Sequence, residues 1–151
     1  MHLHRKQDLS VTYFLKDLFT AESFIRIEDA FPEGELQLPT VSVEADDTRR
    51  IPFELGNRVG RRDKIWFIDV FAKNKAQRDE IGYRIFDAVE PGIPVYDYDE
   101  GFPPSVSPTE IGSLEILDLN ARVIRILPQL TEKLYWRMTI SFSTRYNPVT
   151  T

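Results

Sequence analysis

The chain has 151 residues and a mass of 17.6 kDa, the size of one ordinary domain, and a chain this long buries roughly 68–70% of its unfolded surface, enough for a core without staples. Apolar residues at 42% and charged residues at 28% match an average globular mix and argue against disorder along the whole length. The absence of Cys excludes disulfides, thiolate zinc sites, iron–sulfur clusters and cysteine nucleophiles together, and a net charge of −5 argues against a nucleic-acid reader that works through overall positive charge.

The start, Met1-His2-Leu3-His4-Arg5-Lys6, has no signal-peptide apolar run, and no stretch approaches the roughly 20 apolar residues of a membrane span. The expectation is a protein of a reducing, intracellular setting with no membrane partner. A virus particle assembled in such a compartment fits equally. Residues 1–6 are expected to be flexible.

Val11, Phe14, Leu15, Leu18 and Phe19 fall at i, i+3, i+4, i+7 and i+8, which predicts a helix over about residues 7–22 with Asp8 as its cap. The β-prone run Phe24–Ile27 follows, then a turn at Phe31-Pro32-Glu33-Gly34. Residues 40–45 alternate as a strand with Val41 and Val43 inward. Residues 50–55 form a second strand, which Pro52 confines to an edge or a bulge because it cannot donate to a ladder. A loop from Gly56 to Asp63 leads into residues 64–72, the strongest strand. Its apolar residues lie on both faces, as in a central strand covered on one side by helices or a partner.

A second helix follows, opened by Asn74 and Gln77 as an Asn version of the capping box and closed by Pro91-Gly92. Ile93–Tyr96 is a short apolar piece. The stretch from Asp97 to Thr109 is polar and Pro-rich, with little means to pack itself, and residues 97–113 are expected as an extended loop. Two long strands close the chain. Residues 114–127 place Leu117, Leu119, Ala121 and Val123 on one face; Pro128 to Lys133 is the turn. The last strand has Leu134, Trp136, Met138, Ile140 and Phe142 on its dry face and Tyr135, Arg137, Thr139, Ser141 and Ser143 on the wetter one. There is no repeat and no internal boundary. The expected fold class is α+β: a single domain over residues 1–151, with a mostly antiparallel or mixed sheet packed against two main helices and a long C-terminal β-hairpin.

Chemistry-bearing residues are sparse. The only histidines are His2 and His4, at a terminus that gives no held geometry for a base or a metal ligand. Asp69 and Lys73 are four apart, whereas a nuclease acid and lysine sharing one strand face stand two apart. Asp69 is better read as a polar residue of the central strand satisfied by an Arg. Gly56 and Gly60 lack the Gly-Lys-Ser/Thr end of a phosphate loop. No catalytic residue, cofactor site or metal site is expected.

Two charge features remain. Arg58, Arg61 and Arg62, with Lys64 after them, form a compact basic patch; Asp97, Asp99 and Glu100, with Glu44, Asp46 and Asp47, are acidic. Either alone reads as a solvated loop tip. Together they suit head-to-tail assembly, in which unlike surfaces join and charge fixes the register. On that reading Arg58, Arg61, Arg62, Lys64, Asp97, Asp99 and Glu100 are the subunit or partner interface.

The order of elements now carries a likeness. A first helix, strands around Pro39-Thr40-Val41-Ser42-Val43-Glu44, the strong strand Ile65–Ala72, the helix at Gln77–Ile85 and a terminal hairpin resemble tail terminator proteins of tailed bacteriophages, also called tail completion or tail-to-head joining proteins. Gly92–Pro104 is similar to phage virion proteins of the neck. The resemblance spans roughly residues 8–146 and is one of layout. It implies a non-enzymatic structural protein of the virion neck, assembled in the host cytoplasm. Such proteins form a ring, commonly a hexamer, that caps the tail tube protein, meets the head-tail connector protein, and lets DNA pass through the lumen without specific binding. An acidic lumen would keep a phosphate backbone from sticking.

Other readings stay open. One is another head-tail connector protein. Another is an intracellular binding module for peptide or nucleic acid, with Tyr135 and Tyr146 beside Arg137 and Arg145 as a stacking platform. A third is a small carboxylate enzyme.

Overall fold

The first helix, α1, spans Leu3–Leu18 in the computed structural model, which describes residues 1–30, 36–52, 60–124 and 136–149. It starts four residues ahead of the expected position. His2, in extended conformation, is its cap and accepts from the His4 amide at 3.2 Å, so Asp8 lies inside the helix and not at its end. The expected stripe is the buried one: Val11, Leu15 and Phe19 enter the core, with Phe14 and Leu18 packed against it.

The strands are β1 (Arg26–Glu28), β2 (Thr40–Pro52), β3 (Gly60–Ala72), β4 (Ile93–Tyr96), β5 (Glu110–Ile124) and β6 (Trp136–Pro148). They form one six-stranded mixed sheet in the order β1-β2-β3-β6-β5-β4, with only β1 and β2 parallel. The strong strand β3 is central, as its two-sided apolar pattern predicts. The sheet curls into a half-barrel, and α1 touches both its ends, β4 on one side and β1 and β2 on the other. The chain is a single α+β domain with a C-terminal strand hairpin, β5 against β6.

Three bulges interrupt the ladders, one of them an extra β5 residue between Glu110 and Gly112, which pair with Tyr96 and Val95 of β4. The expected strands at 40–45 and 50–55 are one continuous β2, with an extra residue between Ala45 and Thr48 where β3 advances from Trp66 to Lys64. Pro52 pairs with Gly60 on the part of β2 that has β3 on one side and no described strand on the other, which is where proline is tolerated. A third bulge lies between Leu117 and Asn120 of β5, where Asp118 takes a φ of 50°. The turns expected at Phe31–Gly34 and at Pro128–Lys133 lie outside the described residues.

The second helix, α2 (Lys75–Val89), packs on β3, β5 and β6. Asn74 Oδ1 accepts from the Gln77 amide at 2.8 Å, and Gln77 Oε1 accepts from the Lys73 amide at 2.9 Å, close to the reciprocal cap the sequence predicts. Replacing Asn74 with alanine is expected to cost about 1 kcal/mol in urea unfolding; a loss below about 0.3 kcal/mol would mean that the cap does not hold the helix start. Gly92, at φ 109°, takes the left-handed step after α2 that a side chain would oppose. Arg84 ties the helices together, donating to Glu22 at 2.8 Å and to the Leu18 carbonyl at 3.2 Å.

Candidate functional site

Register sets the two faces of the sheet. Residues directly opposite on neighbouring strands share a face, so Val41, Val70, Met138 and Val123 form one row and Val43, Ile68, Ile140 and Ala121 the next. The first three members of each row are buried against the helices. On the other face the rows read Ser42, Asp69, Thr139, Arg122 and then Glu44, Phe67, Ser141, Asn120. Among the described residues no helix covers that face, and it holds an open groove of about 1130 Å³.

The floor of this groove is fixed by ions. Asp69 accepts from Arg137 Nη2 at 2.9 Å and Nε at 3.2 Å, and from the Thr139 hydroxyl at 2.5 Å. The Arg137 guanidinium also lies over the Phe71 ring, 5.2 Å from its centre. The sequence reading of Asp69 as a strand carboxylate satisfied by an Arg is what the geometry shows. One rim carries Glu44 and Asp46 on β2 and the other Asn120 and Arg122 on β5, so the rims have opposite sign. Glu44 and Asp46 belong to the acidic group evident in the sequence, whereas Arg122 lies outside both charge clusters. Its signal was its position: a charged residue on the polar face of a strand whose partner strand is also polar on that face.

The residues expected to form an interface are not brought together as two free patches. Arg58 lies outside the described residues. Arg61 and Arg62 are not in a loop; β3 begins at Gly60, and they stand opposite Ile51 and Arg50 of β2. Lys64 is buried, not displayed: its ammonium pairs with Asp8 at 3.1 Å and sits over the Trp66 ring at 4.7 Å.

The acidic stretch is partly neutralised within the chain. Lys6 reaches both Asp97 and Asp99 at 3.1 Å, and the Met1 ammonium reaches Asp99 at 2.6 Å. Glu100 stays exposed. The segment 97–109 also packs, contrary to expectation. Tyr98 is buried against α1, with its ring centre 5.2 Å from Phe102 and 6.4 Å from Tyr13, and the Tyr96 amide donates to Ser10 on α1 at 3.0 Å. Strand β5 begins at Glu110, shortening the expected loop. The stacking platform is absent in the expected form: Tyr146 packs on the core and donates to the Ile111 carbonyl at 3.0 Å, Arg137 is held by Asp69, and Tyr135 lies outside the described residues.

These contacts have a titration signature. The Met1 ammonium first and Lys6 second hold the Asp99 carboxyl down to about 2, while Asp99 and then Asp97 raise Lys6. Burial pushes the Tyr98 hydroxyl up to about 12. A depressed carboxyl contributes above its unfolded value, near 4, and the contribution is lost as pH falls through about 2. Carboxyl NMR is expected to place the Asp99 midpoint near 2 and to move it upward in Lys6→Ala. A wild-type midpoint near 4 would mean that the segment is not latched to α1.

Among the described residues no group of three or more His, Cys, Asp or Glu side chains could hold a metal ion, and no helix is long and apolar enough to cross a membrane. Compared with protein-family models and with curated proteins, the chain matches none.

Proposed function

We propose that this chain is a ring-forming structural subunit of a tailed-phage neck, a tail terminator that caps the tail tube and offers its far side to the head connector. The observation that carries this reading is the open groove on the helix-free face, with rims of opposite charge. An open groove with charged rims suits contact with a macromolecule, whereas small-molecule sites are mostly apolar and enclose most of their ligand. The layout that carries the likeness supports the reading too: a first helix, a strand at Thr40–Pro52, the strong strand at Gly60–Ala72, a second helix and a terminal strand hairpin in one α+β domain. So does the use of Asp69, the carboxylate weighed for nuclease chemistry, as an anchor for Arg137 and Thr139.

The test is to add the protein to growing tail tubes of the phage that encodes it. A terminator arrests growth, and electron micrographs then show tubes with an added ring of density at one end. Tubes that keep lengthening without such a cap would overturn the proposal.

A further inference from the structure

We propose that neighbouring copies of this chain join edge to edge, the outer edge of β5 at Asn120–Ile124 in one copy adding to the outer edge of β2 from Val43 onward in the next. The inference rests on the ring reading and specifies its interface.

Both edges are bare among the described residues. Strand β1 accompanies β2 only from Thr40 to Ser42, and β4 accompanies β5 only from Glu110 to Leu114. Beyond those points each strand has a ladder on one side and a row of unpaired backbone groups on the other, which is a template for another strand. Ala121 and Val123 follow Ile140 and Met138 in register, yet they lie exposed, past the cover of the helices. A neighbouring strand would cover them.

Charge selects the pairing. Glu44 and Asp46 stand exposed beside the β2 edge and Arg122 beside the β5 edge, and none of the three makes an ion pair among the described residues. They cannot neutralise one another within a chain, because β3 and β6 lie between their strands and each strand spacing is about 4.8 Å. Pairing β5 with β5 would set Arg122 against Arg122, which is unfavourable across a strand pair. Pairing β5 with β2 sets Arg122 against Glu44 and Asp46. That contact uses two unlike surfaces, so it is heterologous, and such contacts generate rings when the rotation closes. The curl of the sheet supplies a rotation from copy to copy.

The test uses two charge-swapped chains. Arg122→Glu alone, and Glu44→Lys with Asp46→Lys, each place like charges across the contact; both sets of sites are exposed, and far-UV circular dichroism checks that each variant folds. Native mass spectrometry is expected to show each variant needing about tenfold or more protein to assemble. An equimolar mixture is expected to restore rings in which the two variants alternate, with an even number of subunits. If Arg122→Glu forms rings as readily as the wild type, or the mixture restores nothing, this interface is wrong while the ring reading stands. If the wild type neither forms rings alone nor joins tail tubes, the ring reading fails and the interface with it. A dimer as the only assembly of the wild type would also overturn it, because it points to pairing of like edges.

Discussion

Replacing Trp66 with alanine is expected to cost the protein about 3–5 kcal/mol, the range for deleting a large aromatic from a packed core. Trp66 is 1% exposed and sits on the central strand, opposite Ala45 on one side and Phe142 on the other. Its indole N–H donates to the Thr144 hydroxyl at 2.9 Å, and the Lys64 ammonium lies over its ring. Alanine therefore opens a cavity, takes away the donor to a buried hydroxyl that keeps its own bond to the Lys64 carbonyl at 3.3 Å, and removes one face of the cradle around a buried ammonium. Domains are stable by about 5–15 kcal/mol, so this one change takes a large share. Urea unfolding measures it; a loss under about 1 kcal/mol would contradict the packing described at the centre of the sheet.

The second large effect is expected at the groove floor. Arg137→Ala leaves the Asp69 carboxylate without its two guanidinium N–H groups, and Asp69→Ala removes the acceptor of both those bonds. Breaking a buried pair from one side costs about 3–5 kcal/mol. These side chains are 22% and 13% exposed, so solvent reduces the expected loss to about 2–3 kcal/mol for either single change. Changing both together is expected to cost less than the sum, with a coupling of about 1–3 kcal/mol in a double-mutant cycle. Strict additivity would mean that the pair does not fix the floor.

Much of this architecture was legible in the chain. The stripe of α1, the Asn74 cap, the Pro91-Gly92 stop, the central place of residues 64–72 and the dry face of β6 all follow from local rules, and the structure agrees with each. What local rules missed has physical causes. A bulge adds one residue and reverses the inward parity of everything beyond it. Leu117 therefore stands opposite Ser143 on the groove face, while Ala121 and Val123 stand on the helix side. The same device made one strand, β2, read as two. Residues 97–109 contain too few apolar side chains to predict packing, but Tyr98 and Phe102 find theirs on α1, which is distant in sequence. Arg61 and Arg62 read as a loop because glycines flank them, yet hairpin pairing carries the strand back to Gly60. The groove was the least legible feature, since its rims come from β2 and β5, and only the register of four strands brings Glu44, Asp69, Thr139 and Arg122 onto one face.

The proposed ring closes through contacts between unlike surfaces of the subunit. The most direct measurement is its native mass over a concentration series, at low and at moderate salt. A single closed species is expected, six copies by the likeness to tail terminators, whose formation weakens as salt screens the exposed rim charges. A tight dimer at every concentration and both salt levels would contradict it.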